Sequence, residues 1–262
     1  MNMKTIVTTG RKKQGKISEK ASKAAEELGG ILVARGELSM EELREKYQTQ
    51  AILVAHQEGF VIDQAEGEFF FHPSMARLRM LNLQRGLPDH MTDAMGLRPG
   101  MQVLDCTMGF GADALVAAFV TGGSGQVTGL EINPLVAFVV RQGLAEFLPG
   151  VKKDGFLLAP IGVVQMEYEA YLQTQADKSA DIVYFDPMFR IPLKASSSMQ
   201  PLRGLADMRP VALSAIEEAR RVARKRIVIK EVSGSPEFAR LGCTQLHGGK
   251  YSKVQYGIIE IK

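Results

Sequence analysis

The chain has 262 residues, 45% of them hydrophobic and 23% charged, and a net charge of +3. Such a length suits one large domain, or one domain with a smaller companion, and can bury a substantial core. No run approaches the roughly 18 apolar residues of a membrane span, and "MNMKTIVTTGRKK" turns polar too soon for a signal peptide. The two cysteines, Cys106 and Cys243, imply no disulfide framework and fit a reducing cytoplasm. Four scattered histidines and no Cys-x-x-Cys pair predict no metal site.

Residues 1–73 read as a small N-terminal α/β domain. "TIVTT" is strand-like, "SEKASKAAEEL" is helical and stopped by Gly29-Gly30, and "ILVARG" resembles another strand. Ser39-Met40-Glu41-Glu42 has the spacing of a capping box at the start of "EELREKY". "AILVAHQEGFVIDQAEGEFFFH" alternates enough for two or three strands turning at Glu58-Gly59 and Glu66-Gly67. Residues 74–98 read as a mostly helical linker packed on the C-terminal part of the chain. Basic residues cluster at Arg11 to Lys16, at Arg77, Arg79 and Arg85, and from Arg220 to Arg226. Each cluster reads as a solvated face; two or three on one side would suit an RNA-sized anion.

Over 99–262 strands alternate with helices: "MQVLD", "ADALVAAFVTGG", "QVTGLE", "PLVAFVVRQGLAEFL", "IGVVQ", "DIVYFD", "RPVALSAIEEARRVAR" and "RIVIKEV". The seventh is an amphipathic helix with Leu213, Ile216, Ala219, Val222 and Ala223 on one face. "TQLHGG" and "VQYGIIEI" suggest a closing antiparallel pair. The fold class expected is α/β: a Rossmann-like, mostly parallel sheet covered on both faces, with ligands beyond the carboxyl ends of its strands.

"VLDCTMGFGADAL" places Asp105 at the first strand tip and Gly109-x-Gly111 before a helix. The glycines allow a sharp turn and a close approach to a ligand, and the helix start beyond offers free N–H groups. Twenty residues past Gly111, Glu131 ends the next strand, where a carboxylate can accept both hydroxyls of a ribose. This order points to an adenosine-type cofactor. NAD formally fits, with Ala114 as the third small residue. Asp105 would be unwelcome beside a pyrophosphate but suits the ammonium of S-adenosylmethionine, so the methyl donor is the preferred reading.

"DIVYFDPMFR" then ends a buried strand on Asp186-Pro187-Met188-Phe189. Asp/Asn-Pro-x-Phe/Tyr after the fourth strand is similar to the signature of class I methyltransferases that modify an exocyclic amino nitrogen. Acceptors aimed at the amine N–H groups, the Asp186 side chain and the Pro187 carbonyl, can hold the nitrogen pyramidal and meet its developing charge. Phe189 can stack on the base. Together "VLDCTMGFGADAL", "LEINP", "VYFDPMF" and "RIVIKEV" resemble the bacterial 16S ribosomal RNA guanine-N2 methyltransferases of the small-subunit J type, from Met75 to Ile261. That resemblance implies cofactor contacts at Ala112 and Asp113, Glu131 and Ile132, Glu167 and Tyr168, and Asp186. It implies ribosomal RNA or the small ribosomal subunit as partner. Ala112 and Arg190 replace the arginine and proline usual in that family, which leaves open another acceptor: tRNA, protein or a small molecule.

Two other readings compete. "TTGRKKQGKIS" imitates a P-loop but has Ile17 where a magnesium-binding Ser or Thr belongs. A non-catalytic RNA-binding protein on a degenerate methyltransferase fold has no physical reason to keep Asp105, Glu131 and Asp186. Cys106 reads as packing rather than nucleophile, and Lys230 as either a phosphate contact or an ion-paired lysine.

Overall fold

A computed structural model describes residues 5–10, 15–187 and 204–262. The Arg11–Lys16 turn falls largely outside these residues, and Met188, Phe189 and Arg190 do so entirely.

The first sheet is built from β1 (Ile6–Thr9), β2 (Ile31–Leu32), β3 (Ala51–His56), β4 (Gly59–Gln64) and β5 (Gly67–Phe70), in the order β2-β1-β3-β4-β5. The β3–β4 and β4–β5 hairpins are antiparallel and turn at the expected glycines, where Gly59 and Gly67 adopt φ 129° and 126°. Helices α1 (Gly15–Glu27) and α2 (Met40–Tyr47) accompany it, and α2 starts on the expected box, Ser39 accepting the Glu42 N–H while Glu42 accepts that of Ser39. β2 is only two residues long, Ile31 and Leu32, both exposed at the sheet's edge among the described residues. Helices α3 (Ser74–Gln84) and α4 (His90–Met95) form the connection; α3 packs on the helix Ala112–Thr121, and α4 against the strands Ala223–Val232 and Val254–Glu260.

The second sheet runs β11-β12-β10-β9-β6-β7-β8. Its strands are β6 (Gln102–Asp105), β7 (Gln126–Glu131), β8 (Ile161–Gln165), β9 (Ala180–Phe185), β10 (Ala223–Val232), β11 (Gln245–His247) and β12 (Val254–Glu260). β6 through β10 pair in parallel, and β12 inserts antiparallel between β10 and β11. Helices α5 (Ala112–Thr121), α6 (Pro134–Lys153), α7 (Tyr168–Thr174) and α8 (Leu213–Val222) make the crossovers.

Helix α6 is long and apolar enough to cross a membrane on composition alone, yet it is a core helix. It packs between β4 of the first sheet and β7 and β8 of the second, burying Leu135 to Val140 and Leu144. Phe60 meets Phe138 edge-on at 4.9 Å, and Phe71 presses so closely on Gly143 that a Cβ there would lie 2.2 Å from its ring. One hydrophobic cluster therefore runs from Val7 and Leu53 through Phe138 to Val103 and Tyr184. Two sequence expectations need correction. α6 continues past Pro149 to Lys153, because buried Val151 anchors the last turn. Leu213 is 55% exposed: as the first residue of α8 it lies beyond the packed stripe of Ile216, Ala219 and Val222, and Ala223 already belongs to β10.

Candidate active site

The connections run β6–β7–β8 to one side and β9–β10 to the other, so the switch point lies between β6 and β9. In open α/β sheets the crevice beyond such a point is where ligands bind. A cavity of about 240 Å³ opens there, and its wall includes Asp105, Gly109, Glu131, Tyr184, Asp186 and Lys230. The acidic tip of "VYFDP" and the glycine loop thus face a common space.

On the β6–β7 side, Asp105 is 2% exposed and accepts the N–H of Thr107 at 3.0 Å. Burial pushes its carboxyl up to about 8. Gly109 and Gly111 adopt φ 48° and 73°, the left-handed region a β-carbon resists. That turn lets the Gly109 N–H reach Glu131 at 3.2 Å, while the Asn133 N–H donates to the other carboxylate oxygen at 2.8 Å. Glu131 is nonetheless pushed up to about 7, chiefly by desolvation. Gly111 caps α5 without a side chain, which leaves the first N–H groups of the helix open. Phe110 stacks on Phe69 of β5 at 4.8 Å, so the first sheet buttresses the glycine loop.

The β9–β10 side is built from ion pairs. Lys230 Nζ donates to Asp186 at 2.6 Å and to Asp113 at 3.2 Å. Asp113 also accepts from Tyr184 Oη at 2.7 Å and from Arg79, which in turn pairs with Asp89. Against the desolvation of its site, Lys230 and Arg79 hold Asp113 well below the usual carboxylate range. Asp186 moves the other way, up to about 6, because burial and the negative charge of Asp113 outweigh Lys230. Thr107 joins the two sides: its Oγ1 accepts the Asp186 N–H at 2.5 Å.

Of the residues singled out in the sequence, Asp105, Gly109, Ala112, Asp113, Glu131, Ile132, Tyr168, Asp186 and Pro187 line the cavity. Gly111 is not on the wall; it caps α5, where a Cβ would come 3.1 Å from Val140 and 3.3 Å from Met108. Glu167 is not on the wall; it caps α7 by accepting the Ala170 N–H at 3.1 Å. Asp113 reaches the wall, but its carboxylate is already held by Arg79, Tyr184 and Lys230. Phe189 lies outside the described residues. Lys230 takes the ion-paired form of the two expected for it. Cys106 is buried and its thiol is pushed up, as packing rather than nucleophilic chemistry requires. Sequence reasoning missed Tyr184 and Met166, which carry no local signal, and read Arg79 only as part of a solvated basic cluster, whereas it pairs with Asp89 and Asp113.

The donor set fits S-adenosylmethionine. Asp105 and Glu131 are two desolvated carboxyls without an ion pair among the described residues, an environment that favours a cationic ligand over a pyrophosphate. Glu131 would hold the ribose hydroxyls, Asp105 would face the ammonium, and the apolar side chains of Ile132, Met166 and Tyr168 would border the base. Bound there, the cofactor supplies an electrophilic methyl group on a sulfonium.

Comparison with known proteins agrees with this chemistry. A family model described as "Putative SAM-dependent methyltransferase" matches residues 42–253. YpiP of Bacillus subtilis, described as an uncharacterized protein, is 34% identical over 256 residues, 97% of this chain and 99% of its own. Ribosomal RNA small subunit methyltransferase J of Erwinia tasmaniensis is 29% identical, covering 66% of this chain and 68% of its own length. The Coxiella burnetii protein of that name is 31% identical over 52% of this chain and 53% of its own. Among solved structures, a SAM-dependent methyltransferase from Neisseria gonorrhoeae shares the fold at a TM-score of 0.60 and 18% identity, over 98% of this chain and 96% of that one. The matched region contains every strand tip that borders the cavity, and the chain belongs to the SAM-dependent methyltransferase family, with S-adenosylmethionine as its methyl donor.

Proposed function

We propose that this methyltransferase acts on an exocyclic amino group, the N2 of a guanine in 16S ribosomal RNA, in the cytoplasm. The observation that carries the reading is the position of Asp186-Pro187: the tip of β9 opens into the same cavity as Asp105, Gly109 and Glu131. An aryl amine is a weak nucleophile because its lone pair is delocalised into the ring. Lys230 occupies Oδ2 of Asp186, which leaves Oδ1 to accept an amine N–H, with the Pro187 carbonyl as a second acceptor. Held this way, the nitrogen would present its lone pair to the methyl group of bound S-adenosylmethionine, and Asp186 would meet the positive charge that develops as the C–N bond forms and the methyl–sulfur bond breaks, leaving a neutral thioether. Asp186, raised to about 6, can then take the proton the methylated nitrogen sheds. Phe189, two residues beyond Pro187, is assigned to stack on the base.

Ribosomal RNA as substrate rests on the motif resemblance and on the names of the Erwinia and Coxiella relatives. Surface charge adds little, because the described basic clusters are largely paired: Arg77 with Asp154, Arg221 with Asp177 and Glu218, Arg224 with Asp181, and Arg226 with Glu260. That pairing favours, as second reading, an acceptor smaller than a ribosomal subunit. Nucleoside mass spectrometry of ribosomal RNA from wild-type and deletion cells separates the two. Loss of N2-methylguanosine from 16S RNA is expected. An unchanged 16S spectrum would rule out the ribosomal substrate while leaving methyl transfer intact.

A further inference from the structure

Two of the four histidines, far apart in sequence, meet in space. His90 opens α4 and His247 ends β11, 157 residues later, with His90 Nδ1 3.4 Å from His247 Nε2. Asp93, one turn along α4, brings Oδ2 to 3.9 Å from that same nitrogen of His247. One ligand atom from each of the three residues lies within 4.8 Å of the others.

Both supporting elements are fixed. Helix α4 is capped by Asp89 at its start and by left-handed Gly96 at its end, and it buries Met91, Ala94 and Met95. His90 and Asp93, three residues apart, therefore share its outer face. Register with β12 sets His247 opposite Tyr256. In the turn after β11, a Cβ on Gly249 would come 3.0 Å from His90 Nε2, so the ring rests against a residue without a side chain.

We propose that His90, Asp93 and His247 form a surface site for a first-row transition-metal cation of the zinc class, tying the connecting helix to the outermost strand of the large sheet. Two nitrogens 3.4 Å apart, each about 2.0–2.1 Å from a metal, subtend roughly 110° at it, close to tetrahedral. In a tetrahedral shell the ligand atoms lie about 3.4 Å apart, so the Asp93 carboxylate, within 4.8 Å of the two histidine nitrogens, needs a side-chain swing of roughly 1.5 Å or less to join. Two imidazoles with one carboxylate select zinc, cobalt or nickel over magnesium and calcium, which take oxygen ligands. A bare imidazole–imidazole hydrogen bond accounts for the pair less well, since 3.4 Å exceeds the usual range. His247 and Asp93 keep 38% and 48% of their side-chain surface exposed, so water can complete the shell. None of the three residues borders the methyl-transfer cavity, so the site is independent of the reaction.

The test titrates zinc chloride into untagged, EDTA-stripped full-length protein by calorimetry. The result expected is one zinc per chain, and a Tm that rises with zinc concentration as mass action requires. His247→Gln and His90→Ala should each weaken binding at least about tenfold, and Asp93→Asn should do so less severely. His247→Gln changes an edge strand and leaves α4 untouched, so it guards against a merely misfolded His90 variant. With cobalt in place of zinc, the wild type should show the visible absorption of a tetrahedral site and His247→Gln should lose it. Absence of zinc binding, binding that both histidine variants retain at full strength, or equal competition by magnesium would overturn the site.

Discussion

On the β6–β7 side of the cavity, Asp105 and Glu131 are satisfied by backbone N–H groups and have no ion pair among the described residues. On the β9–β10 side, Asp186 and Asp113 share the ammonium of Lys230, and Asp113 holds Arg79 as well. Carboxyls in both halves are desolvated, yet the first has no paired cation among the described residues while the second pairs its carboxyls with Lys230 and Arg79. Burying an unpaired charge is costly, and a group in that position raises its pKa instead. The first half is thus built for a ligand that brings positive charge, as a sulfonium with an ammonium does. The second, which already holds cations of its own, suits the neutral amine proposed as acceptor.

The largest effect expected tests the second half. Asp186→Ala should lower kcat by about 10²–10³-fold, as loss of a preorganised charge-stabilising group does, while the cofactor Kd moves little in calorimetry. Near-normal turnover would remove Asp186 from the acceptor site. Glu131→Ala should show the converse pattern. Losing a charged hydrogen-bond partner should weaken cofactor binding by about 10- to 100-fold, with kcat at saturation nearly kept. If the two variants exchange phenotypes, the halves have been assigned backwards.

A pair of substitutions sharpens the contrast further. Lys230, Asp113 and Glu231 are the charged groups that act on Asp186, with Asp105 beside them. Lys230→Met removes the cation that opposes the rise of Asp186, so the acidic limb of kcat should move to higher pH by about one unit or more. Asp113→Asn removes a negative neighbour and leaves Lys230 to Asp186 alone, so the limb should move to lower pH. Shifts of opposite sign in the pH–rate profile are the expected outcome. Shifts in the same direction would mean that Lys230 acts through packing.

The β6–β7 half was legible in the sequence because its parts are local. Asp105, the two glycines and Glu131 lie within one strand–turn–helix–strand unit, and each residue type announces its backbone task. The alternation of strands and helices announced a parallel sheet, whereas nothing local marks the jump from β8 back across β7 and β6 to β9, or the insertion of β12 between β10 and β11. The β9–β10 half was legible in Asp186 and Pro187, with Asp113 and Lys230 named but not their convergence. Lys230 and Asp113 are 117 residues apart and Arg79 and Asp113 are 34 apart, so their convergence depends on packing that no periodicity encodes. At Asp113 and Glu167 the structure adds contacts that the resemblance does not name. An acid at the expected position can be turned to an ion network or a helix cap by neighbours that the motif does not contain. His90 and His247 are a further case of residues that look unrelated until the fold is known.

The smallest effect expected is a proton count. In the free protein Asp105 and Glu131 titrate at about 8 and about 7, above their ordinary values near 4. Their folded values are raised, so they favour the folded state at low pH. That contribution should drain away as pH rises from about 4 through 8, the folded state binding more protons over this window. A cationic cofactor lowers both values, so its binding should release protons near neutral pH and tighten as pH rises toward 8, then level off. Calorimetry in two buffers of different ionisation enthalpy reads the release directly, and Asp105→Asn should remove the part nearest pH 8. On the Lys230 side Asp186, raised to about 6, should add to this count only at the acid end of the window. A cofactor affinity that is flat from pH 6 to 8 would mean that the two carboxyls already have a cation of their own, and the contrast between the halves would be lost.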